Sequence, residues 1–242
     1  MGVKAGGGGG GAADTWRNNL IGEWEFSNGA AGTDGSGNGQ TMTFTTGGTG
    51  AATNDASGKV GYCETFTGTC GSVGTGGGYG YFTPCAAFNI GTGGFHCCWW
   101  QNDASRQSSC VPWGGLYTGS YYPGYMAWDA DNSRWVYVKV FSTGNGTTLT
   151  PPATGNWYFV EVGRSGNGAN QGYASINRAA DSIFTSEINV TSAPTTWYIA
   201  SHVYPTLIGK WTTCCSFDQL RFWSRALTTA ERDYVYNSGA GR

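Results

Sequence analysis

The sequence predicts an all-β fold, an antiparallel β-sandwich with one short C-terminal helix. Short segments of alternating or continuous apolar residues recur along the chain, and clusters of Gly, Asn, Thr and Pro separate them. The one helical pattern covers 227–236, where Thr228 or Thr229 is a suitable capping residue and Gly239 lies just past the end. This order is typical of a sandwich rather than of alternating strands and helices.

Length and composition predict one domain with a large core. The 242 residues suit a single sandwich, since such domains run to roughly 200–250 residues. The 42 glycines indicate many turns, while 11 Trp, 14 Tyr and 11 Phe supply apolar surface for a core. We expect residues 1–14 to be a flexible Gly-rich arm and 15–242 to be the domain.

The predicted strands follow from local alternation. In the first, 20–26, Trp24 and Phe26 alternate with Glu23 and Glu25, as in a half-buried strand. The others are predicted at 41–46, 60–66, 81–90, 124–128, 133–141, 157–164, 172–177, 196–201 and 217–223.

The low charge of the chain excludes some classes of partner. Only 12% of residues are charged, 13 basic against 15 acidic, so there is no electrostatic footprint for nucleic acid. No apolar run approaches the roughly 20 residues that span a bilayer, so we expect no membrane insertion. A neutral surface rich in Thr, Ser and Asn suits glycans or other proteins.

The cysteines predict disulfides and an oxidising destination. There are eight, Cys63, Cys70, Cys85, Cys97, Cys98, Cys110, Cys214 and Cys215. We expect Cys63–Cys70 as a local staple. Zinc binding by His96, the adjacent cysteines and Cys214–Cys215 is the weaker alternative, because zinc sites usually space their cysteines by two to four residues.

The expected location is extracellular or the surface of a virion. The disulfides indicate an oxidising compartment, yet the first residues have no apolar signal-peptide core. A virion component released by lysis of its host fits both observations. A secreted protein with a replaced N-terminus is the alternative.

Three stretches resemble a known family when taken in order. They are 20–26 running into Asp-Gly-Ser-Gly-Asn-Gly at 34–39, Asn-Trp-Tyr-Phe-Val-Glu-Val at 156–162 followed by 173–177, and Phe-Asp-Gln-Leu-Arg-Phe-Trp-Ser-Arg-Ala-Leu-Thr at 217–228. Together they resemble the LamG-like jelly rolls of the concanavalin A-like lectin/glucanase superfamily, across about residues 16 to 240. The resemblance implies a jelly roll whose relatives bind or cleave sugars.

The resemblance also implies one structural calcium ion. Its ligands here are Asp218, with Glu25, Asp34 and the carbonyls near Asn38 and Gly39. The alternative is that Asp34 and Asn38 make Asx turns, and that Asp218 pairs with Arg221 or a backbone N–H.

Catalysis is not expected. Retaining glycoside hydrolysis needs two carboxyls about 5–5.5 Å apart, and the Glu-x-Asp-x-(x)-Glu strand of catalytic relatives is missing. Glu23 and Glu25 are predicted to lie on a solvated strand face, and Glu161 is alone on its strand. His96 and His202 have neither hydrolase nor zinc-protease spacing.

An aromatic stretch is the predicted ligand site. Trp113, Tyr117, Tyr121 and Tyr122 lie among Gly and Pro in a predicted loop, with Gln101, Asn102 and Asp103 as polar partners for sugar hydroxyls. The core is the expected place for Trp99 or Trp100, Tyr125 and Trp128.

Two functions fit this pattern. The first is a non-catalytic adhesion module on a virion or cell surface that recognises glycan through aromatic loops. The second is a structural decoration or assembly protein of a capsid, tail or filament, whose aromatic loop and Gly arm contact neighbouring subunits.

Overall fold

A computed structural model describes residues 15–46, 50–68, 77–106, 149–166, 168–184, 195–201, 214–237 and 240–241, and the backbone of three strands within 113–138. These residues form the predicted all-β, antiparallel sandwich with one helix, so the fold class is confirmed. Among them, no helix has the length and apolar character needed to cross a membrane.

The fold consists of fourteen strands, one 3-10 turn and one α-helix in the described part of the chain. The strands are β1 Leu20–Trp24, β2 Thr43–Thr45, β3 Ala52–Gly58, β4 Gly61–Phe66, β5 Tyr79–Phe82, β6 Phe95–Asp103, β7 Trp113–Leu116, β8 Tyr125–Asp129, β9 Arg134–Val138, β10 Trp157–Arg164, β11 Gly172–Ile176, β12 Ser182–Phe184, β13 Thr196–Ile199 and β14 Cys215–Trp223; the 3-10 turn is Ala86–Phe88 and helix α1 is Thr229–Tyr236.

Two antiparallel sheets are packed face to face. The large sheet has the order β12-β11-β10-β6-β14-β4-β3, and the small sheet has the order β2-β5-β13-β7-β8-β9. Strand β14 is central to the large sheet. It pairs with β6 along one edge, and along the other edge it pairs first with β4 and then with β1.

The large sheet is apolar on both faces because each face is covered. Successive strand residues point to opposite faces, so Cys97 and Trp99 of β6 enter the main core between the sheets. Cys98 and Trp100 enter a second apolar cluster with Leu227 and with Val235 of α1. Helix α1 therefore covers the face of the large sheet that the small sheet does not.

Helix α1 begins where the sequence predicts a cap. The Thr228 hydroxyl accepts the Glu231 N–H, and the Glu231 carboxylate accepts the Thr228 N–H at 2.9 Å, which completes a capping box. At the other end Asn237 takes the left-handed conformation (φ 49°) that closes the helix.

Several strands differ from their predicted bounds. The strand 157–164 is found as predicted, but β3, β6, β7 and β12 were not predicted. Strand β3 is mostly Asn, Asp, Ser and Gly and lacks an apolar alternation. The predicted strand 81–90 is wrong after Phe82, since the chain passes Pro84 and forms the 3-10 turn at Ala86–Phe88.

The disulfide prediction is largely wrong for the described cysteines. Five of them are thiols rather than halves of disulfides, Cys63, Cys85, Cys97, Cys98 and Cys215. Cys63 is not bridged to Cys70 as expected; it is a buried thiol, and its sulfur lies 3.6 Å from the Thr65 hydroxyl on β4. Such thiols serve as small apolar core residues. Cys214 is disulfide-bonded, while Cys70 and Cys110 lie outside the described residues.

A buried ion pair joins α1 to the sheet beneath it. Arg232 donates from Nε to Glu161 Oε2 at 3.0 Å and from Nη2 to Glu161 Oε1 at 2.6 Å, and it also donates to Asp181. Arg178 and Ser175 donate to the same Glu161 oxygen. Glu161, alone on its strand in the sequence, is therefore the centre of a network supplied by other elements.

We expect Arg232→Met to destabilise the protein by about 3 kcal/mol, because it leaves the fully buried Glu161 with fewer cationic partners. The matched control is Arg17→Met. Arg17 also pairs with a glutamate, Glu23, but is 54% exposed, so its loss should cost less than about 1 kcal/mol. Urea unfolding at pH 7 measures both, and equal costs would contradict the assigned role of Arg232.

The network also predicts that part of the free energy of unfolding is lost in acid. Burial by itself raises the pKa of Glu161, but hydrogen bonds from Arg232 and Ser175 and the nearby His96 outweigh it and hold the pKa at about 2. The unfolded value is about 4.5, so this stabilisation is present above pH 5 and is lost as the pH falls to 2. The stability difference between wild type and Glu161→Gln should shrink by about 2–3 kcal/mol from pH 6 to pH 2 in urea unfolding. A constant difference would contradict it.

Candidate functional site

Two of the predicted glycan partners are buried in the core. Gln101 accepts a hydrogen bond from Trp99 Nε1 at 2.8 Å and donates to Asp103 Oδ1, and Asp103 also accepts from Tyr158 and Arg106. Neither Gln101 nor Asp103 is exposed. Their prediction as ligand contacts is wrong, because these polar atoms satisfy one another inside the fold.

The remaining predicted ligand residues are only partly described. Asn102 is half-buried and donates to the carbonyl of Gly155 at 3.4 Å. Trp113 begins strand β7, rather than lying in a loop, and its side chain is outside the described residues. Tyr117, Tyr121 and Tyr122 also lie outside them. A glycan site at these aromatics stays a prediction.

The loop that follows β1 is organised by Asp34. Asp34 Oδ1 accepts the backbone N–H of Glu23 at 3.0 Å and of Ser36 at 2.9 Å, and Oδ2 accepts the Ser36 hydroxyl at 2.8 Å and the Gln40 N–H at 3.1 Å. Asn38 donates to the carbonyl of Leu20. Asp34, which accepts the N–H of Ser36 two residues on, makes the Asx turn of the alternative, whereas Asn38 instead donates from its side-chain amide.

The other predicted calcium ligands have protein partners too. Asp218 accepts the Val60 N–H at 2.7 Å, and burial raises the pKa of Asp218 to about 7. Glu25 lies 3.1 Å from Arg221, and Gly39 takes a left-handed turn conformation (φ 71°). Among the described residues, no three His, Cys, Asp or Glu side chains are grouped as a metal site. Calcium binding stays a prediction.

If the predicted calcium ion is bound, chelation should lower the melting temperature. If the four hydrogen bonds to Asp34 order the loop through protein donors alone, chelation should leave it unchanged. Differential scanning calorimetry with calcium and with excess EDTA measures this directly. A fall in melting temperature on chelation, reversed by added calcium, would establish the metal site that the family resemblance implies.

Glu23 does not lie on a solvated strand face. It is 2% exposed, and its carboxylate accepts from Arg221 Nε at 2.9 Å and Arg17 Nη2 at 2.9 Å. That expectation is wrong because the outer face of the large sheet is covered near β1. The Glu23–Arg221 pair joins β1 to β14, which is a structural use of the carboxylate.

Three tyrosines form a continuous surface on the small sheet, here called the tyrosine face. Tyr79 and Tyr81 of β5 and Tyr198 of β13 have ring centroids 6.1–6.2 Å apart in each pair. Tyr79 and Tyr81 are half-buried, and Tyr198, between them and β7, is only 8% exposed. Their neighbours Phe82, on β5, and Trp197, on β13, point the other way, into the main core. The tyrosine face is therefore the outer side of the small sheet.

Strand register sets what surrounds the tyrosine face. On β2, Thr43 is paired with Tyr81 and Thr45 with Tyr79. On the other side, Tyr198 is paired with Gly114 of β7, which is paired in turn with Tyr125 of β8. The glycine places backbone, without a side chain, beside the Tyr198 ring. The tyrosine face and its register partners on β2 and β7 thus present aromatic, hydroxyl and backbone groups side by side.

The chemistry of the tyrosine face suits a neutral, hydroxylated ligand. Burial raises the pKa of Tyr79 and of Tyr198, and the neighbouring phenols act in the same direction. The phenols of Tyr79 and Tyr198 therefore stay protonated at neutral pH, and a protonated phenol both donates and accepts hydrogen bonds. Their rings present apolar faces to a flat apolar surface such as the C–H side of a sugar.

The sequence pattern predicts which residues share a face of each strand, but not that these two strands are neighbours. Tyr-Gly-Tyr-Phe at 79–82 and Thr-Trp-Tyr-Ile at 196–199 both alternate with period two, which places alternate residues on one face. The pairing of these two strands, separated by more than a hundred residues, is set by the sheet topology. A pattern along the chain does not supply that pairing.

Comparison with known proteins identifies structural neighbours alone. No protein-family model and no curated protein matches the chain. Domain 4 of AbnA, a GH43 extracellular arabinanase from Geobacillus stearothermophilus, in complex with arabinotriose, matches with a TM-score of 0.66 and 15% identity over 93% of this chain and 98% of that one.

The binding domains of botulinum neurotoxins also match. That of serotype D/C has a TM-score of 0.64 and 12% identity over 92% of this chain and 53% of that one. That of neurotoxin DC in complex with SialylT has a TM-score of 0.59 and 12% identity, over 92% and 52%. This chain spans about half the length of the neurotoxin domains. The matches agree with the antiparallel β-sandwich fold of this chain.

Proposed function

We propose that this protein is a non-catalytic glycan-binding module and that the tyrosine face is its principal binding surface. The observation that carries the proposal is the group of three phenol rings on the outer side of the small sheet, each about 6 Å from the others. Such a surface combines stacking area with neutral hydrogen-bonding groups, which is what recognition of a sugar chain needs.

The structural neighbours support this class of ligand. The arabinanase domain spans almost the same length as this chain and holds arabinotriose. One neurotoxin binding domain was solved in complex with SialylT. Cell entry of neurotoxin type C, another structural neighbour, depends on interaction with two ganglioside molecules. Since this chain spans half of those neurotoxin domains, the arabinanase domain is the more informative comparison.

The placement of carboxylates supports a binding rather than a catalytic role. A retaining hydrolase needs two carboxyls about 5–5.5 Å apart, flanking the bond that is cleaved. Glu23 and Glu161, on the two strands where acidic residues drew attention in the sequence, are buried and held by arginines. Both serve to join structural elements.

A structural role in an assembly is the second candidate. Tyrosine is enriched at protein interfaces as well as in sugar sites, so the tyrosine face also suits a neighbouring subunit on a virion, filament or cell surface. This second candidate includes an extracellular or virion-surface location, and contact of the Gly-rich arm at 1–14 with a neighbouring subunit. Glycan binding by the isolated protein distinguishes the two candidates.

We expect a glycan array to show specific binding that Tyr81→Ala with Tyr198→Ala weakens by at least about tenfold, or about 1.4 kcal/mol. The matched control is Tyr62→Ala, a half-buried tyrosine on β4 of the other sheet, which should bind as wild type. A Trp113→Ala/Tyr121→Ala variant tests the predicted aromatic loop in parallel.

Binding that survives the loss of Tyr81 and Tyr198 but not of Trp113 and Tyr121 would move the site to that loop. No binding by folded protein at all would favour the assembly role. Circular dichroism and the melting temperature of each variant show whether it is folded.

A further inference from the structure

A shallow, open cleft lies at the edge of the sandwich, between the loop after β1 and strands β2, β3 and β4. Residues 29–33 form the loop wall. The cleft has a volume of about 480 Å³, within the roughly 300–1,000 Å³ of small-molecule sites. Phe44 supplies an apolar wall, and Thr33 and Thr41 supply hydroxyls at the rim.

Glu64, one of the residues that line the cleft, has a buried carboxyl oxygen without a hydrogen-bond partner among the described residues. Glu64, on β4, is 2% exposed, and its Oε2 atom accepts no hydrogen bond from the described residues. An unsatisfied buried polar atom is costly, and other elements of this fold pair such groups, as Glu161 shows. This oxygen, on a side chain that lines the cleft, has no partner among the described residues and can accept one more hydrogen bond.

Asn54 is held in place beside Glu64. The two residues are directly opposite in the register of β3 and β4. The Asn54 amide nitrogen donates to the carbonyls of Phe26 at 2.8 Å and Cys63 at 3.2 Å. These two bonds fix the side chain and leave the Asn54 carbonyl oxygen as an acceptor. A ligand therefore meets a fixed pair of polar groups, not a mobile surface.

The loop wall of the cleft is also preorganised. The Met42 N–H donates to the Gly32 carbonyl at 2.9 Å, and the Thr33 N–H donates to the Ala30 carbonyl at 2.9 Å. A Cβ atom on Gly32 would clash with the Met42 carbonyl, so the close approach of loop and strand requires glycine. Preorganised walls lower the entropic cost of binding.

From these contacts we propose that the cleft is a separate subsite for one neutral sugar ring, which stacks on Phe44 and bonds through its hydroxyls to Glu64 and Asn54. Among the described residues that line it, Glu64 is the one ionisable group. Burial raises the pKa of Glu64 to about 7, although Asn54 acts in the opposite direction. Below that pH the site is uncharged, which favours a neutral ring over an anionic or cationic ligand.

The test is saturation-transfer NMR and calorimetric titration at pH 6 with the methyl glycosides of glucose, galactose, mannose and arabinose. We expect at least one of them to bind with a millimolar Kd. Glu64→Leu, which keeps volume but removes the polar atoms, and Phe44→Ala should each weaken binding at least tenfold. Glu64→Gln should restore binding to within threefold of wild type.

Two controls separate this subsite from the rest of the protein. Asp55→Asn changes an exposed acid on β3 next to Asn54, and Tyr81→Ala changes the tyrosine face; both should bind as wild type. Absence of binding by all four glycosides, or binding unchanged in Glu64→Leu and Phe44→Ala, would overturn the subsite. Binding lost in Tyr81→Ala alone would assign it to the tyrosine face and overturn the subsite while supporting the proposed function.

Discussion

The whole fold depends on burying strand β14 on both faces. Its nine residues are almost all inaccessible, and it pairs with strands from the start, the first third and the middle of the chain. The inner face packs on the small sheet, as any sandwich requires. The outer face needs a separate cover, and α1 supplies it through the second apolar cluster and the Arg232–Glu161 pair. A carboxylate in that position is tolerated because two arginines and a serine satisfy it.

The small sheet covers one face of the large sheet and α1 covers the other, which limits where a ligand can bind. Both faces of the large sheet are used for packing. In the part of the chain that the structure describes, we therefore look for binding on the outer side of the small sheet and at the edge beside β3. The tyrosine face occupies the first and the Glu64 cleft the second. One site offers rings on a broad strand surface, and the other offers a fixed polar pair in a concavity. A chain molecule suits the former and a single ring suits the latter.

The sequence predicted the elements better than their partners. Strand 157–164 and the Thr228 cap follow from local pattern and capping chemistry, and both are confirmed. Gln101 and Asp103 were predicted to contact sugar hydroxyls, but the register of β6 with β10 places them against Tyr158 in the core. The tyrosine face depends on pairing β5 with β13 across more than a hundred residues, which no local pattern records. The even number of cysteines predicted disulfides, but five of the described cysteines are thiols that serve as apolar core residues.

The most direct test of the central claim is to locate bound glycan by NMR. Backbone amide shifts of isotopically labelled protein would be followed during titration with arabinotriose and with the strongest glycan from an array. The account predicts saturable shifts concentrated on β5 and β13, around Tyr81 and Tyr198. Saturable shifts confined to other parts of the chain, or none with any glycan, would contradict a glycan site at the tyrosine face.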